Sequence, residues 1–253
     1  MSARSWVVYF TLNRVALRGI DWAAGPDLPP GEAAAVVSSL REFQVGERSE
    51  GRRLRAAAAA WVARHGDTPY LKALDLFIAE EQRHAAELAR FLSLNGHAPL
   101  RATAGDAAFR LLRHLTGTLE MTLAVLRTAE VIGFVYYGAL RTGTRSAVLR
   151  SLCDAFLRDE AAHLLFHSER LAMVRRGRSR TAMACTRAAA ALLLVGSCLV
   201  VWARHRRALA LSGCGPLGFV RSCLSVAASD RDLAASSHMQ ADGTPAPSPA
   251  GIS

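Results

Sequence analysis

Apolar residues recur every three or four positions along most of this chain, and glycine and proline are gathered into a few breaks. That pattern predicts an all-α protein. Residues 1–20 make a short amphipathic helix, with Trp6, Val7, Phe10, Val15 and Leu17 as its apolar material. Gly25-Pro26 and Pro29-Pro30-Gly31 mark a loop. A first long helix is predicted over 33–65, bent near Gly46 or Gly51, and a second over 69–95. Gly66-Asp67-Thr68-Pro69 joins them tightly, with glycine past one helix end and a cap then proline opening the next. A longer connection over 96–105 leads to a third helix, 106–140, and Arg141–Thr144 turns the chain into a fourth, 146–175. Two tight hairpins joined by one long connection form the pattern of a four-helix bundle with a crossover, in which the second and third helices can lie parallel.

Beyond the bundle, residues 188–203 carry no charge and are bounded by Arg187 and Arg204. The run is short for a membrane span, which takes about 20 apolar residues. It reads equally as an inserted or interfacial helix and as a fifth helix packed on the bundle. Residues 227–253, rich in Ala, Ser, Pro and Gly, read as disordered. The chain thus divides into 1–32 (helix and loop), 33–178 (bundle), 179–212 (basic-flanked apolar helix) and 213–253 (tail).

Charge and cysteine usage narrow the setting. Of the net charge of +10, residues 66–170 contribute none, having twelve basic and twelve acidic groups; residues 171–253 hold ten basic groups against three acidic. Such a basic stretch, here 175–207, can face anionic lipid, and nothing in the chain resembles a nucleic-acid-binding motif. The five cysteines include no Cys-x-x-Cys, which argues against a disulfide framework or a cysteine metal site. The 6–12 apolar run is broken by Asn13 and Arg14 and makes a poor signal peptide. A cytoplasmic protein, attached to the inner face of a membrane through 175–207, is the expectation, and a homodimer is compatible with it.

The chemistry lies on the interior stripes. The second helix presents Leu74, Phe77, Glu81, His84, Leu88 and Phe91; the fourth presents Leu149, Leu152, Phe156, Glu160, His163 and His167. The third presents Leu119, Leu123, Leu126, Glu130, Phe134 and Tyr137, and the first Glu47, Glu50, Leu54, Ala57 and Trp61. Glu81-x-x-His84 and Glu160-x-x-His163 each put a carboxylate and an imidazole on one helix face. A buried carboxylate is costly unless paired or bound to metal, and no arginine or lysine shares these stripes. Two divalent ions neutralise four carboxylates, and two imidazoles complete the donor set. That is the helical di-metal carboxylate arrangement: one Glu from each of two helices and Glu-x-x-His from the other two. Its mixed oxygen and nitrogen donors suit iron or manganese. The expected ligands are Glu50, Glu81, His84, Glu130, Glu160 and His163. Glu50 to Glu81 spans 31 residues and Glu130 to Glu160 spans 30, which favours Glu50 over its rival Glu47. His167 reads as a packed histidine or a supporting contact behind the ligands. Glu80 and Asp159 point off the stripes, toward the surface or behind the ligands.

On Gly46-Glu-Arg-Ser-Glu50, Glu80-Glu-Gln-Arg-His84, Glu130 and Asp159-Glu-Ala-Ala-His163, residues from about 35 to 175 resemble the ferritin-like superfamily, especially its rubrerythrin-like di-iron domains. The resemblance implies an antiparallel four-helix bundle holding two iron ions, with oxygen or peroxide as reactant. Rubrerythrins proper also carry a rubredoxin-like centre with paired Cys-x-x-Cys motifs. This chain has none, so an oxidoreductase of this kind needs an external electron donor. Iron oxidation and storage, and a membrane-associated bundle without catalysis, are the alternative functions.

Overall fold

The computed structural model describes residues 1–16, 18–101 and 117–241, with side chains to Asp230, and every regular element among them is helical. The helices are α1 (Ala3–Val15), α2 (Pro30–Glu47), α3 (Arg52–His65), α4 (Pro69–Leu94), α5 (Leu119–Gly143), α6 (Ala147–Val174), α7 (Arg180–Ala210) and α8 (Pro216–Ala241). Their ends follow local chemistry. Thr118, Ser146 and Ser179 cap α5, α6 and α7 by accepting backbone N–H groups of the first turn. Gly66 ends α3 in the left-handed region, and Pro69 opens α4, as the sequence predicts.

The apolar interior falls into two clusters separated by a polar layer. One contains Leu40, Leu88, Phe91, Tyr136, Leu149 and Phe156; the other contains Phe10, Leu54, Leu74, Phe77, Leu123 and Phe166. The order in which each helix meets them gives its direction. Helices α4 and α5 pass from the Phe77 cluster to the Phe156 cluster. Helix α6 and the α2–α3 pair pass the other way. The second and third long helices therefore run parallel, and the glutamates and histidines of all four lie where the two clusters meet.

Three expectations need correction. The first long helix is two helices: α2 stops at Glu47, and Gly51 sits at φ 62° before α3. The break lies close on α4, since a Cβ at Gly51 would overlap Ile78 Cδ1. The third helix does not run unbroken from 106, because Thr118 is extended (φ −126°, ψ 156°) and starts the helix at Leu119; residues 102–116 lie outside the described ones. The tail is helical to Ala241, and α8 buries Phe219, Cys223 and Ala227 against the rest. Composition missed this because small residues permit close packing without announcing it. Residues 242–253 lie outside the described ones.

Among the described residues, two helices, α5 and α7, are long and apolar enough to cross a membrane by length and composition. Half of the apolar stretch of α5 is buried inside the molecule, as expected of a core helix, against 17% for α7. Helix α7 packs on α5, α2 and α8 through Leu194, Cys198, Val201 and Leu209. Its outer face leaves Leu192, Leu199 and Val200 exposed.

The turn after α7 rests directly on the end of α5. A Cβ at Gly143 would stand 2.7 Å from the Leu211 carbonyl carbon and from the Ser212 nitrogen. Backbone cannot yield as a side-chain tip does, so Gly143→Ala is expected to destabilise the protein by about 1–3 kcal/mol. Thermal unfolding in detergent-free buffer reads this directly. An unchanged Tm would mean that α7 and α8 do not dock on α5 in solution.

Candidate metal centre

Glu47 is the last residue of α2; Glu81 and His84 come from α4, Glu130 from α5, and Glu160 and His163 from α6. Their donor atoms form two overlapping groups, each within 4.8 Å: Glu47, Glu81, His84 and Glu160, and Glu81, Glu130, Glu160 and His163. Glu81 and Glu160 belong to both. Glu50, the residue favoured on spacing, stands apart. It is exposed and pairs with Arg52. Ending α2 at Glu47 turns the chain outward just before Glu50, so the rival one turn earlier faces the interior. Tyr137 fixes Glu47 by donating its hydroxyl at 2.7 Å.

Each imidazole presents Nδ1 inward and Nε2 outward. His84 Nδ1 lies 3.5 Å from Glu160 and 3.7 Å from Glu81, and His163 Nδ1 lies 3.2 Å from Glu81 and 3.6 Å from Glu160. On the far side, Nε2 of His84 meets Asp159 at 2.9 Å and Nε2 of His163 meets Glu80 at 3.0 Å. An ionised carboxylate only accepts, so each Nε2 carries the proton it donates. A neutral ring then has its Nδ1 lone pair facing inward, the tautomer a metal requires. The partnership is crossed. The acid preceding Glu81 on α4 holds the histidine of α6, and the acid preceding Glu160 on α6 holds the histidine of α4.

Helix α1 locks this outer pair. The Asn13 side-chain amide donates to Glu80 at 2.6 Å and to Asp159 at 2.8 Å. Arg83 reaches Glu80 at 2.6 Å, and Arg18 binds Asp159 and Glu87. Trp6 and Phe10 bury the rest of that face of α1 beside Phe77 and Phe166. Sequence reasoning missed Asn13 and Arg18. Trp6, Phe10 and Asn13 share one face at helical spacing, the signal that could have pointed Asn13 toward the bundle. His167 is buried with its Nε2 3.7 Å from Glu130; burial and the neighbouring His163 push it down to about 3, so it is a neutral ring behind the ligands.

The charge balance shows what the core needs. At about 4.8 Å and an effective dielectric of 20, two ionised carboxylates repel by roughly 3–4 kcal/mol, a large share of a domain's whole stability. Burial and the charges of Glu81 and Glu160 push Glu47 and Glu130 well above the usual carboxylate range. Burial opposes ionisation of Glu160 too, but the Glu130 carboxyl and the His163 and His84 imidazoles outweigh it and hold Glu160 well below. Burial disfavours the His84 cation, yet Asp159 and Glu160 outweigh it and hold the ring up to about 9. Without metal, protons therefore do the neutralising.

The donor set fits a pair of divalent cations. Among the described residues, eleven buried side-chain polar atoms lack a hydrogen bond, and five of them are Glu81 Oε1, His84 Nδ1, Glu130 Oε1, Glu160 Oε2 and His163 Nδ1. Buried polar atoms are rarely left unpaired, and these residues come from three helices to make up most of the two overlapping groups.

No protein-family model, curated protein or solved structure matches the chain.

Asn13→Ala removes a group that, like Arg83, bridges both outer carboxylates, and it does so without touching a donor atom. Supporting contacts of this kind are worth about 10–100-fold in metal affinity. The expected result is that loss in competitive titration with a chelator, with the fold retained by circular dichroism. An affinity equal to that of the unmodified chain would show that α1 does not position the imidazoles.

Proposed function

We propose that this chain is a ferritin-like di-iron carboxylate protein, with manganese as an alternative metal, acting as an oxidoreductase on oxygen or peroxide. The observation that carries the reading is the overlap: two four-residue groups sharing Glu81 and Glu160, with unpaired donor atoms facing inward and both Nε2 atoms tied to carboxylates outside. Glu81 and Glu160, common to both groups, would serve both ions; Glu47 and His84 would help hold one, and Glu130 and His163 the other. When bound, the iron pair supplies the redox chemistry. Asp159 and Glu80 keep a proton on each Nε2, so that each Nδ1 faces the interior and can bind metal once its own proton is lost, and Tyr137 gives Glu47 a hydrogen bond. Electrons come from an external donor.

Anaerobic loading with ferrous iron and metal analysis tests this. Two ions per chain are expected, with Glu81→Ala and Glu160→Ala losing both, Glu47→Ala losing one and Glu50→Ala losing neither. Protein that holds no iron or manganese would sink the proposal.

The shifts fix the sign of the pH dependence. His84 titrates near 6.5 when unfolded and about 9 in the metal-free fold, so its contribution is complete below about pH 6.5 and lost as pH rises through 9. Burial opposes protonation of His163, but the surrounding carboxylates raise it well above its ordinary value, and the raised carboxyls of Glu47 and Glu130 act in the same direction. Metal needs those positions free of protons, so loading releases protons and tightens with pH. Calorimetric scans are expected to show the Tm of metal-free protein falling from pH 6.5 to 9 while the gain on adding metal grows. A metal-induced gain that shrinks with pH would contradict the ligand set.

The exposed outer face of α7, with Leu192, Leu199 and Val200, favours a second element of the reading. We infer that α7 rests on a cytoplasmic membrane surface, its arginines toward anionic headgroups. Part of the basic run is already engaged, since Arg175 and Arg178 both bind Glu120. Cell fractionation should find the protein with membranes at neutral pH and released by carbonate; recovery wholly in the soluble fraction would refute the attachment.

A further inference from the structure

Oxygen and peroxide are about the size of a water molecule, whose share of liquid volume is about 30 Å³. The centre opens onto something far larger. A cavity of about 820 Å³ has Glu47, Glu81, Glu130 and Glu160 among its lining residues. One wall is a stripe of α5: Thr122, Val125, Leu126, Ala129, Glu130 and Gly133 line the cavity at the three- and four-residue spacing of a single helix face. From Thr122 to Gly133 that face is about 16 Å long at 1.5 Å per residue. Glu130 lies within the stripe, so a molecule extended along α5 passes the carboxylates with Leu126 on one side of Glu130 and Gly133 on the other. Val125, Leu126 and Ala129 sit mid-helix yet are only half-buried, because part of their surface faces this space. A Cβ at Gly133 would meet only Tyr137 Cε2 at 3.9 Å, so the missing side chain leaves room there. Leu54 of α3, Phe77 and Ile78 of α4 and Val201 of α7 add further apolar surface.

The charged residues of the lining favour neither sign. They are six glutamates and five arginines. Arg52 pairs with Glu50 and Arg204 with Glu42, Arg48 donates to the Arg101 carbonyl, and Arg53 is engaged as well. A charged head would compete with partners that most of these groups already have. A cation would face the arginines and an anion the glutamates, whereas an apolar chain against the α5 stripe displaces no partner.

We propose that this cavity binds an uncharged, extended apolar molecule of the alkyl-chain type, lying along α5 beside the carboxylates. Pockets for organic ligands run from about 300 to 1,000 Å³ and are lined mostly by apolar side chains, as this one is along α5 and α4. An ion placed against those walls without a partner loses its hydration, a cost that a neutral chain does not carry. The inference deepens the proposed function by naming the substrate class of the same centre, and it rests on that reading only for the chemistry done on the bound molecule, not for its binding.

The test is calorimetric titration of the full chain with 1-octanol, octanoate and octyltrimethylammonium. Octanol is expected to saturate at one per chain and to bind at least about tenfold tighter than either ion. Gly133→Leu places a side chain in the cavity at a helical position with room for it, and is expected to weaken octanol about tenfold or more with Tm retained. Ala129→Leu, one turn earlier on the same wall, is expected to do the same, so a loss of Tm in one variant leaves the other to decide. Either ion binding as tightly as octanol to the unmodified chain would overturn the proposal. So would octanol binding that neither substitution weakens, which marks surface adsorption, and so would no octanol binding at all. Metal content, measured on every sample, separates the two readings. Iron loading without octanol binding removes the apolar ligand alone. Specific octanol binding to a chain that takes no iron removes the metal centre and leaves the cavity's ligand standing.

Discussion

The fold depends on neutralising carboxylates that it has buried. Glu47, Glu81, Glu130 and Glu160 meet where two apolar clusters abut, with Glu130 and Glu160 buried and Glu47 and Glu81 partly so. At a few kcal/mol per ionised pair, the set cannot stay charged and unpaired in a protein of ordinary stability. The structure answers in alternating layers of sign. Inside are carboxylates; around them are His84 and His163; behind those are Asp159 and Glu80; and outermost are Arg18 and Arg83 with the Asn13 amide. Each layer prepares the next one in. A carboxylate on Nε2 leaves Nδ1 to face the centre, and a guanidinium keeps that carboxylate ionised: Asp159 is held below its usual range despite burial, by His84 and Arg18.

The same layering explains why the N-terminal helix belongs to the centre. Helix α1 has few buried residues, but Trp6 and Phe10 are among them, and Asn13 continues their face. Burying two aromatic side chains supplies roughly 3–6 kcal/mol, enough to hold the amide against the two carboxylates. The break between α2 and α3 has a comparable role on the opposite side. It stops α2 at Glu47 and turns Glu50 to solvent. One interruption thus places Glu47, and not Glu50, beside Glu81 and Glu160.

Much of this was legible from spacing alone. Glu81-x-x-His84 and Glu160-x-x-His163 lie at positions that periodicity assigns to the interior, and so does Glu130. A helix face is a local property, fixed by 3.6 residues per turn. Glu47 against Glu50 was not legible. Both lie on the stripe of an uninterrupted helix, and only the left-handed Gly51, set close against Ile78, ends the helix between them. Spacing arguments assume a continuous helix and fail where one breaks. Helix α8 escaped for a related reason: its small residues carry little hydrophobic signal, and their value lies in how closely they let another helix approach.

By itself, the sequence determined that the chain is helical, that four helices turn acids and histidines inward, and that the apolar 188–203 segment differs from the bundle. Each of these depends on neighbours within a turn or two. The tertiary structure alone decided which glutamate completes the set, that the acid before each Glu-x-x-His serves the histidine of the other helix, and that Asn13 ties the two together. Those contacts join residues 67 to 146 positions apart. No local rule reaches that far; they exist only once packing has brought the helices to their common level.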